Sequence, residues 1–222
     1  MESALWPDAM FFDVDGVLIA SLDVKGEAFA DVFDDIPDSR QVVIDYHLTH
    51  GGVTRLEKIS NLFQLLTGNQ ATDDEIRGRV DRFRDVVEQR VTAAPEILGV
   101  TDMLTTWFDR CPLFAVSATP EDELISIFGA RGLSRFFISI HGWPPRKSVT
   151  ISAVAKAHGL IPSRSILLGD SYEDFVAAKE SGVHFIHFQA PGRPALEEQT
   201  PSVSDFLTLD RLVPEILGTQ PH

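Results

Sequence analysis

The chain has a single cysteine, Cys111. An internal disulfide is therefore impossible, and a zinc centre built on several thiolates is excluded. Basic residues are also scarce. Nineteen Lys and Arg stand against 33 Asp and Glu, for a formal net charge of −14. Such an excess repels nucleic-acid phosphates and anionic lipid surfaces unless a local basic patch overrides it. The densest basic stretch, Arg77 to Arg84, is interleaved with Asp81 and followed by Asp85, so neither nucleic acid nor membrane is expected as a partner. No apolar run approaches the roughly 18 residues needed to cross a bilayer. Met1-Glu2-Ser3-Ala4-Leu5 lacks the basic and long apolar regions of a secretory signal, so a cytoplasmic location is expected. Gly-x-Gly-x-x-Gly is missing after the first apolar run, which disfavours a Rossmann dinucleotide binder. Internal repeats and low-complexity segments are absent too, and nothing in the sequence sets an oligomeric state.

What is present reads as an ordinary globular protein. The 222 residues are 44% hydrophobic and include 15 Phe, enough for one sizeable core or a core plus a smaller partner. Several short apolar runs end in polar residues: Met10-Phe11-Phe12 before Asp13, Leu113 to Val116 before Ser117, and Ile166-Leu167-Leu168 before Gly169-Asp170. Phe136 to Ile140 and His184 to Phe188 are similar runs with no such terminus. Runs this short, separated by helical patterns, predict buried parallel strands covered on both faces. Ligands of such sheets bind beyond the carboxyl ends of the strands, where Asp13, Ser117 and Asp170 would stand.

Helix starts are readable as well. Thr54 with Glu57 and Thr72 with Glu75 form capping-box pairs, and Thr119-Pro120 precedes the acidic first turn of another helix. Leu56, Ile59, Leu62, Phe63 and Leu66 mark one helical face; Ile76, Val80, Phe83 and Val87 mark another. Gly68 is placed to stop the first of these. Between about Asp23 and Arg90 the only strand-like run is Val42-Val43-Ile44. The expected class is α/β: a Rossmann-like parallel sheet over residues 1–20 and 95–222, with a helical cap over 21–94 inserted after the first strand. The closing segment, with Phe206, Leu207, Leu212, Ile216 and Leu217, would add a last strand and helix.

Four elements carry chemistry. In Asp13-Val14-Asp15-Gly16, two acids at a strand end can face one reacting centre, one as nucleophile and one as general acid and base, while Gly16 lets the chain turn closely. An Asp- and Gly-rich turn would look the same. Ser117, followed by Ala118 and Thr119, puts a hydroxyl at a strand end beside a helix N-terminus, a place for a phosphoryl oxygen or for a simple cap. Lys147, with Arg146 as its competitor, precedes a helix near Val149 and would balance carboxylates and transferred charge. Asp170 and Asp174 offer hard oxygen ligands suited to Mg²⁺, and Ser171 with Asp174 also reads as a capping pair.

In this order, Asp13-x-Asp15, Ser117, Lys147 and Gly169-Asp170-x-x-x-Asp174 resemble the four motifs of the haloacid-dehalogenase-like (HAD) phosphohydrolases. The insertion resembles the helical cap of the phosphoglycolate-phosphatase and β-phosphoglucomutase subgroup. The resemblance implies a Mg²⁺-dependent phosphatase acting on a small phosphorylated metabolite, either a sugar phosphate or a phosphorylated acid. Asp13 would attack phosphorus to form an aspartyl-phosphate, and Asp15 would protonate the leaving oxygen and then activate water. Mg²⁺ would be held by the Asp13 carboxylate, the Asp15 carbonyl and Asp170, with Asp174 supporting the metal or Lys147. Ser117, Ala118, Lys147 and Gly16 would surround the phosphoryl group.

Other outcomes resemble the chain less well. Dehalogenases of the family lack the second acid at Asp15. Phosphonate-cleaving relatives use a cap lysine, for which Lys25 and Lys58 are present. Gly52-Val53-Thr54-Arg55 resembles the segment with which sugar phosphomutases grip substrate, but those carry a hinge histidine where this chain has Lys25. Arg55 is thus a candidate substrate-recognition residue, or an exposed residue of a first helical turn. A catalytically silent binding protein on the same fold is the third class. It finds no support in the residues, because every catalytic type is present.

Overall fold

The computed structural model describes residues 6–190, 196 and 200–218. Its centre is a six-stranded parallel sheet: β1 (Ala9–Phe12), β2 (Leu113–Pro120), β3 (Ser139–Trp143), β4 (Ser165–Gly169), β5 (His184–Phe188) and β6 (Ser202–Val203). The strand order is β3-β2-β1-β4-β5-β6, and every pairing is parallel. Side chains of a strand alternate between faces, and the core divides accordingly. Met10, Phe12, Leu113, Ala115, Ile166 and Leu168 belong to one buried cluster, and Ala9, Phe11, Phe114, Val116 and Leu167 to the other.

Helices α5 (Val100–Phe108), α6 (Glu121–Ala130) and α9 (Leu209–Gly218) bury Trp107, Phe128 and Val213 on the first face. Helices α7 (Lys147–His158) and α8 (Tyr172–Ser181) bury Ile151, Val154 and Ala177 on the second. The expected α/β class is therefore found, with apolar strands sandwiched between helical layers.

Between β1 and α5 the chain forms four helices: α1 (Leu22–Asp31), α2 (Ser39–Thr49), α3 (Arg55–Thr67) and α4 (Asp73–Ala93). They form a helical cap in which Phe29, Phe33, Ile59, Leu62, Phe83 and Val87 are buried, continuous with the apolar cluster on the first face of the sheet. Thr72 and Glu75 make a full capping box at the start of α4. Thr54 accepts from the Glu57 N–H at α3, and Gly68 ends that helix at φ 72°. Arg79 lies over Phe33 and holds Asp35 through two 2.8 Å hydrogen bonds.

Three local expectations differ from the structure. Val42-Val43-Ile44 lies inside α2. The buried residues there are Ser39, Val43 and His47, four apart, so the burial period is helical and a β-branched triplet does not decide the outcome. In Phe136 to Ile140, a 3-10 turn covers Ser134–Phe136 and β3 begins at Ser139. Phe137 anchors the approach against Phe12 and Phe128 instead of pairing as a strand residue. Helix α6 starts at Glu121, with Pro120 as its cap, and Thr119 belongs to β2 with its side chain spent elsewhere. In the closing segment Phe206 and Ile216 are buried, while Leu207 is 87% exposed.

Candidate active site

The order of the sheet reverses between β1 and β4, so the chain leaves these two strands in diverging directions above one edge. Asp13 follows β1, and its backbone N–H donates to the Leu168 carbonyl at 2.9 Å. Asp170 follows β4, Ser117 lies in β2, and Lys147 opens α7. The sequence-predicted residues Asp13, Asp15, Ser117, Ala118, Lys147 and Asp170 consequently line one cavity of about 60 Å³. Its cap side includes Lys25, Phe29, His47, Arg55 and Lys58.

Lys147 is the hub of the charge arrangement. Its Nζ donates to Asp13 Oδ1 at 2.7 Å and to Asp174 Oδ1 at 2.5 Å. Arg146, the alternative for this position, is exposed. Burial works against the Lys147 charge, but the Asp13 and Asp174 carboxylates overcome it and hold the ammonium far above its ordinary pKa. Asp174 is fully buried. Its Oδ2 accepts from the Ser171 hydroxyl at 2.6 Å and from the Ser171 N–H, and its own N–H donates to Ser171 Oγ. The capping pair and the lysine clamp are thus the same carboxylate, with each oxygen already engaged by a donor.

Asp15 meets a different environment. Burial pushes its pKa up, yet the Lys25 ammonium and hydrogen bonds from Lys25, Ser21 and Thr119 bring it below the ordinary carboxylate value. Lys25 Nζ donates to Oδ2 at 2.6 Å, the Ser21 hydroxyl to Oδ1 at 2.5 Å, and the Thr119 hydroxyl to Oδ2 at 3.2 Å. Lys25 also donates to Thr119 Oγ1 at 2.8 Å. Ser117 Oγ accepts from the Thr119 N–H at 3.1 Å, which leaves the hydroxyl hydrogen available to a ligand.

Two loops are set by close approach. Gly16 has φ 81°, and a Cβ there would overlap Asp170 Oδ2 and sit 2.8 Å from Leu22 Cδ1. Gly52, at φ 72° in the cap, would put a Cβ 2.6 Å from Glu173 Cβ. Both cap entry and cap loop therefore press on the 170–173 segment. Gly16→Ala is expected to cost roughly 1–2 kcal/mol in backbone strain and to displace Asp170. A modest fall in Tm with loss of cation binding by calorimetry would show this, whereas wild-type cation affinity would refute it.

The residues fit a divalent cation. Asp13, Asp170 and Asp174 each bring a carboxylate oxygen within 4.8 Å of the others. Burial and the nearby carboxylates Asp174 and Asp15 raise the Asp13 pKa to about 7 in spite of Lys147. Burial, with Asp13 and Asp174, drives Asp170 well above the ordinary range. One lysine does not neutralise this much buried carboxylate, and a hard, oxygen-only donor set matches Mg²⁺.

Sequence reading did not place several residues that shape the site. From the sequence Lys25 stands out as a departure from a histidine and as a candidate cap lysine of the phosphonate-cleaving kind, and Thr119 as a cap; neither reading pairs them with Asp15. Ser21 and Lys25, four apart at the start of α1, both turn back to Asp15; that spacing is the one local signal available. Arg55 is neither an exposed first-turn residue nor free. Its Nη2 donates to Glu123 Oε2 at 2.7 Å and Oε1 at 3.0 Å, with the guanidinium over Phe83. Glu123 lies 68 residues away in α6, and no local pattern announces it.

This sheet order, cap insertion and carboxylate–lysine cluster define a HAD-type α/β protein. The chain belongs to the haloacid dehalogenase-like hydrolases, whose family model matches residues 10–188. No curated protein matches the sequence. Among solved structures, a predicted phosphoglycolate phosphatase from Haemophilus somnus is 17% identical, with a TM-score of 0.77 over 96% of this chain and 99% of that one. A HAD family hydrolase from Deinococcus radiodurans, with bound phosphate and sodium, is 18% identical, with a TM-score of 0.67 over 99% and 100%. A magnesium-bound Bacillus subtilis protein described as of HAD-hydrolase type is 17% identical, with a TM-score of 0.71 over 94% and 99%. At these identities the likeness bears on the fold. Among the described residues, no helix is long and apolar enough to cross a membrane.

Proposed function

We propose that the protein is a Mg²⁺-dependent phosphatase that removes phosphate from a small phosphorylated metabolite through an aspartyl-phosphate on Asp13. The observation that carries this reading is the double contact of Lys147 with Asp13 and Asp174 beside a second, differently biased acid, Asp15. Two carboxylates in one cavity have environments that push their pKa values apart, which is how nucleophile and acid–base roles are divided.

In this scheme the Asp13 oxygen not held by Lys147 attacks phosphorus, and Lys147 and the Ser117 hydroxyl hold phosphoryl oxygens while charge moves to the leaving group. Asp13, Asp170 and the Asp15 carbonyl would hold Mg²⁺, with Asp174 keeping Lys147 in place. The bound ion supplies positive charge that offsets the repulsion between substrate and carboxylates. To act on the leaving oxygen, Asp15 first takes up a proton from solvent, against the bias of Lys25, Ser21 and Thr119 towards its carboxylate. Once that proton is given, the same contacts stabilise the carboxylate that takes a proton from the water opening the aspartyl-phosphate, which leaves Asp15 protonated for the next turnover. Lys25 stands where the mutase resemblance calls for a histidine, and its pairing with Asp15 supports hydrolysis over phosphoryl return.

The test is release of inorganic phosphate from an aryl phosphate with Mg²⁺, its loss on chelation, and its return when Mg²⁺ is restored. Activity indifferent to chelators would end the metal part of the scheme. Stability gives a second readout. In the metal-free protein Asp13 binds its proton more tightly than in the unfolded chain, whose value is near 3.8. Stability contributed by that proton is present in acid and is lost as pH rises towards about 7. Mg²⁺ replaces the proton, so its stabilising effect should be larger at pH 8 than at pH 5.5. At a hundredfold excess over Kd the gain is about 2.7 kcal/mol, roughly 5–10 °C in Tm for a chain of this size. Equal shifts at both pH values would contradict the assignment.

A further inference from the structure

A second cavity opens beside the first and shares Gly52, Val53, Ser117, Ala118 and Lys147 with it. Its volume is about 330 Å³, within the range of sites for small molecules. The phosphoryl-transfer scheme gives it no role. Because Ser117 and Lys147 line both spaces, a leaving group that extends past the cap loop at Gly52 and Val53 enters it. The far wall differs in chemistry from the catalytic cavity. Trp143 ends β3 and Tyr172 opens α8, and both line the space while 36% and 51% exposed. Neither ring belongs to the buried apolar clusters, so their faces are free to meet a ligand. Three carboxylates, Glu57, Glu173 and Glu180, line the same space. Among the described residues none of the three has an ion pair. Glu173 is half-buried and held by the close approach of Gly52, where a Cβ would lie 2.6 Å from its own. Two bases share the lining. Lys147 is taken by Asp13 and Asp174, which leaves Arg146 alone against three unpaired acids.

Resting on the phosphatase reading, we propose that this second cavity selects a cationic leaving group, so that the preferred substrate is the phosphate monoester of an amino alcohol whose ammonium sits against Trp143 and Tyr172. A cation is attracted to the face of an aromatic ring, and unpaired carboxylates around it add to that attraction. An anionic leaving group is repelled by the same wall, and a neutral polyol brings no charge to meet it. The two ends of such a substrate then find opposite charges, Lys147 for the phosphate and the Glu57, Glu173 and Glu180 carboxylates for the ammonium. The chemistry at Asp13 is unchanged. The bond from phosphorus to the alcohol oxygen breaks, Asp15 gives that oxygen its proton, and the ammonium takes no part.

The experiment compares phosphocholine with 3,3-dimethylbutyl phosphate, in which carbon replaces nitrogen and only the charge is lost. Both are given to the wild type and to Trp143→Leu, Tyr172→Leu and Glu173→Gln. The wild type also receives 2-phosphoglycolate and glucose 6-phosphate, an acid and a polyol. It should favour phosphocholine over the neutral ester by roughly 10- to 30-fold in kcat/KM, the range of a desolvated cation–π contact, and over the acid and the hexose phosphate as well. Each variant should shrink the ratio between the two esters by raising KM for phosphocholine, with kcat and the rate on the neutral ester little changed. Trp143 and Tyr172 lie outside the core, and Glu173→Gln keeps the side chain's shape, so the variants should fold. A wild type that treats the two esters alike, or that prefers the acid or the hexose phosphate, would overturn the proposal whatever the variants do. So would a ratio that survives all three substitutions, or a loss that is equal on both esters. If an aryl phosphate is not hydrolysed at all, the phosphatase reading itself fails, which is distinct from hydrolysis without preference.

Discussion

Asp13→Asn is expected to lower kcat on an aryl phosphate by roughly 10⁴- to 10⁶-fold, the scale seen when a covalent nucleophile is removed. The amide keeps the shape of the side chain but loses the charge that attacks phosphorus. It also leaves Lys147 with Asp174 as its one carboxylate. Folding should not suffer. Asp13 is 5% exposed and crowded by Asp174 and Asp15, so removing its charge relieves repulsion. The metal-free variant should therefore match or exceed the wild-type Tm at pH 8. A variant that unfolds, or one that keeps more than a hundredth of the activity, would remove Asp13 from the nucleophile's role.

Asp15→Asn should have the second largest effect, about 10²- to 10⁴-fold in turnover, as expected for loss of a general acid–base group. The two half-reactions should not suffer equally. With an aryl phosphate the leaving group needs little protonation, so the first transfer proceeds, while water attack on the aspartyl-phosphate loses its base. A burst of phenol followed by slow turnover is the expected trace in stopped-flow. The variant also strands Lys25, whose 2.6 Å bond to Asp15 Oδ2 is the shorter of its two polar contacts. A moderate fall in Tm should accompany the kinetic change. Uniform slowing with no burst would place Asp15 outside the second step.

The sheet was legible because parallel strands buried on both faces need no alternation, so β1, β2 and β4 appear as short apolar runs that stop at a polar residue. The same rule located Asp13, Ser117 and Asp170 at one edge, since their positions depend on local chain and strand order. The failures share a cause. Val42-Val43-Ile44 has strand-like residues, but its environment is a helix packed in a small cap, and burial at every fourth residue decides the outcome. Phe136 and Phe137 are apolar for packing beneath the sheet and not for pairing within it. At the site, Lys25 to Thr119 spans 94 residues and Arg55 to Glu123 spans 68. These contacts exist only once the cap lies on the core, so no sequence pattern of either partner predicts them. Lys58 is the extreme case. Its spacing on α3 is that of a buried face, where an apolar residue would be expected, and only the folded structure places it against the same cavity as Lys147.

Covalent phosphorylation of Asp13 is read out by acid-quenched mass spectrometry of Asp15→Asn during turnover. One phosphoryl group is expected on the peptide carrying Asp13, absent from the Asp13→Asn, Asp15→Asn double variant and removed by hydroxylamine. Phosphate release without any labelled protein, or a label on another residue, would contradict it.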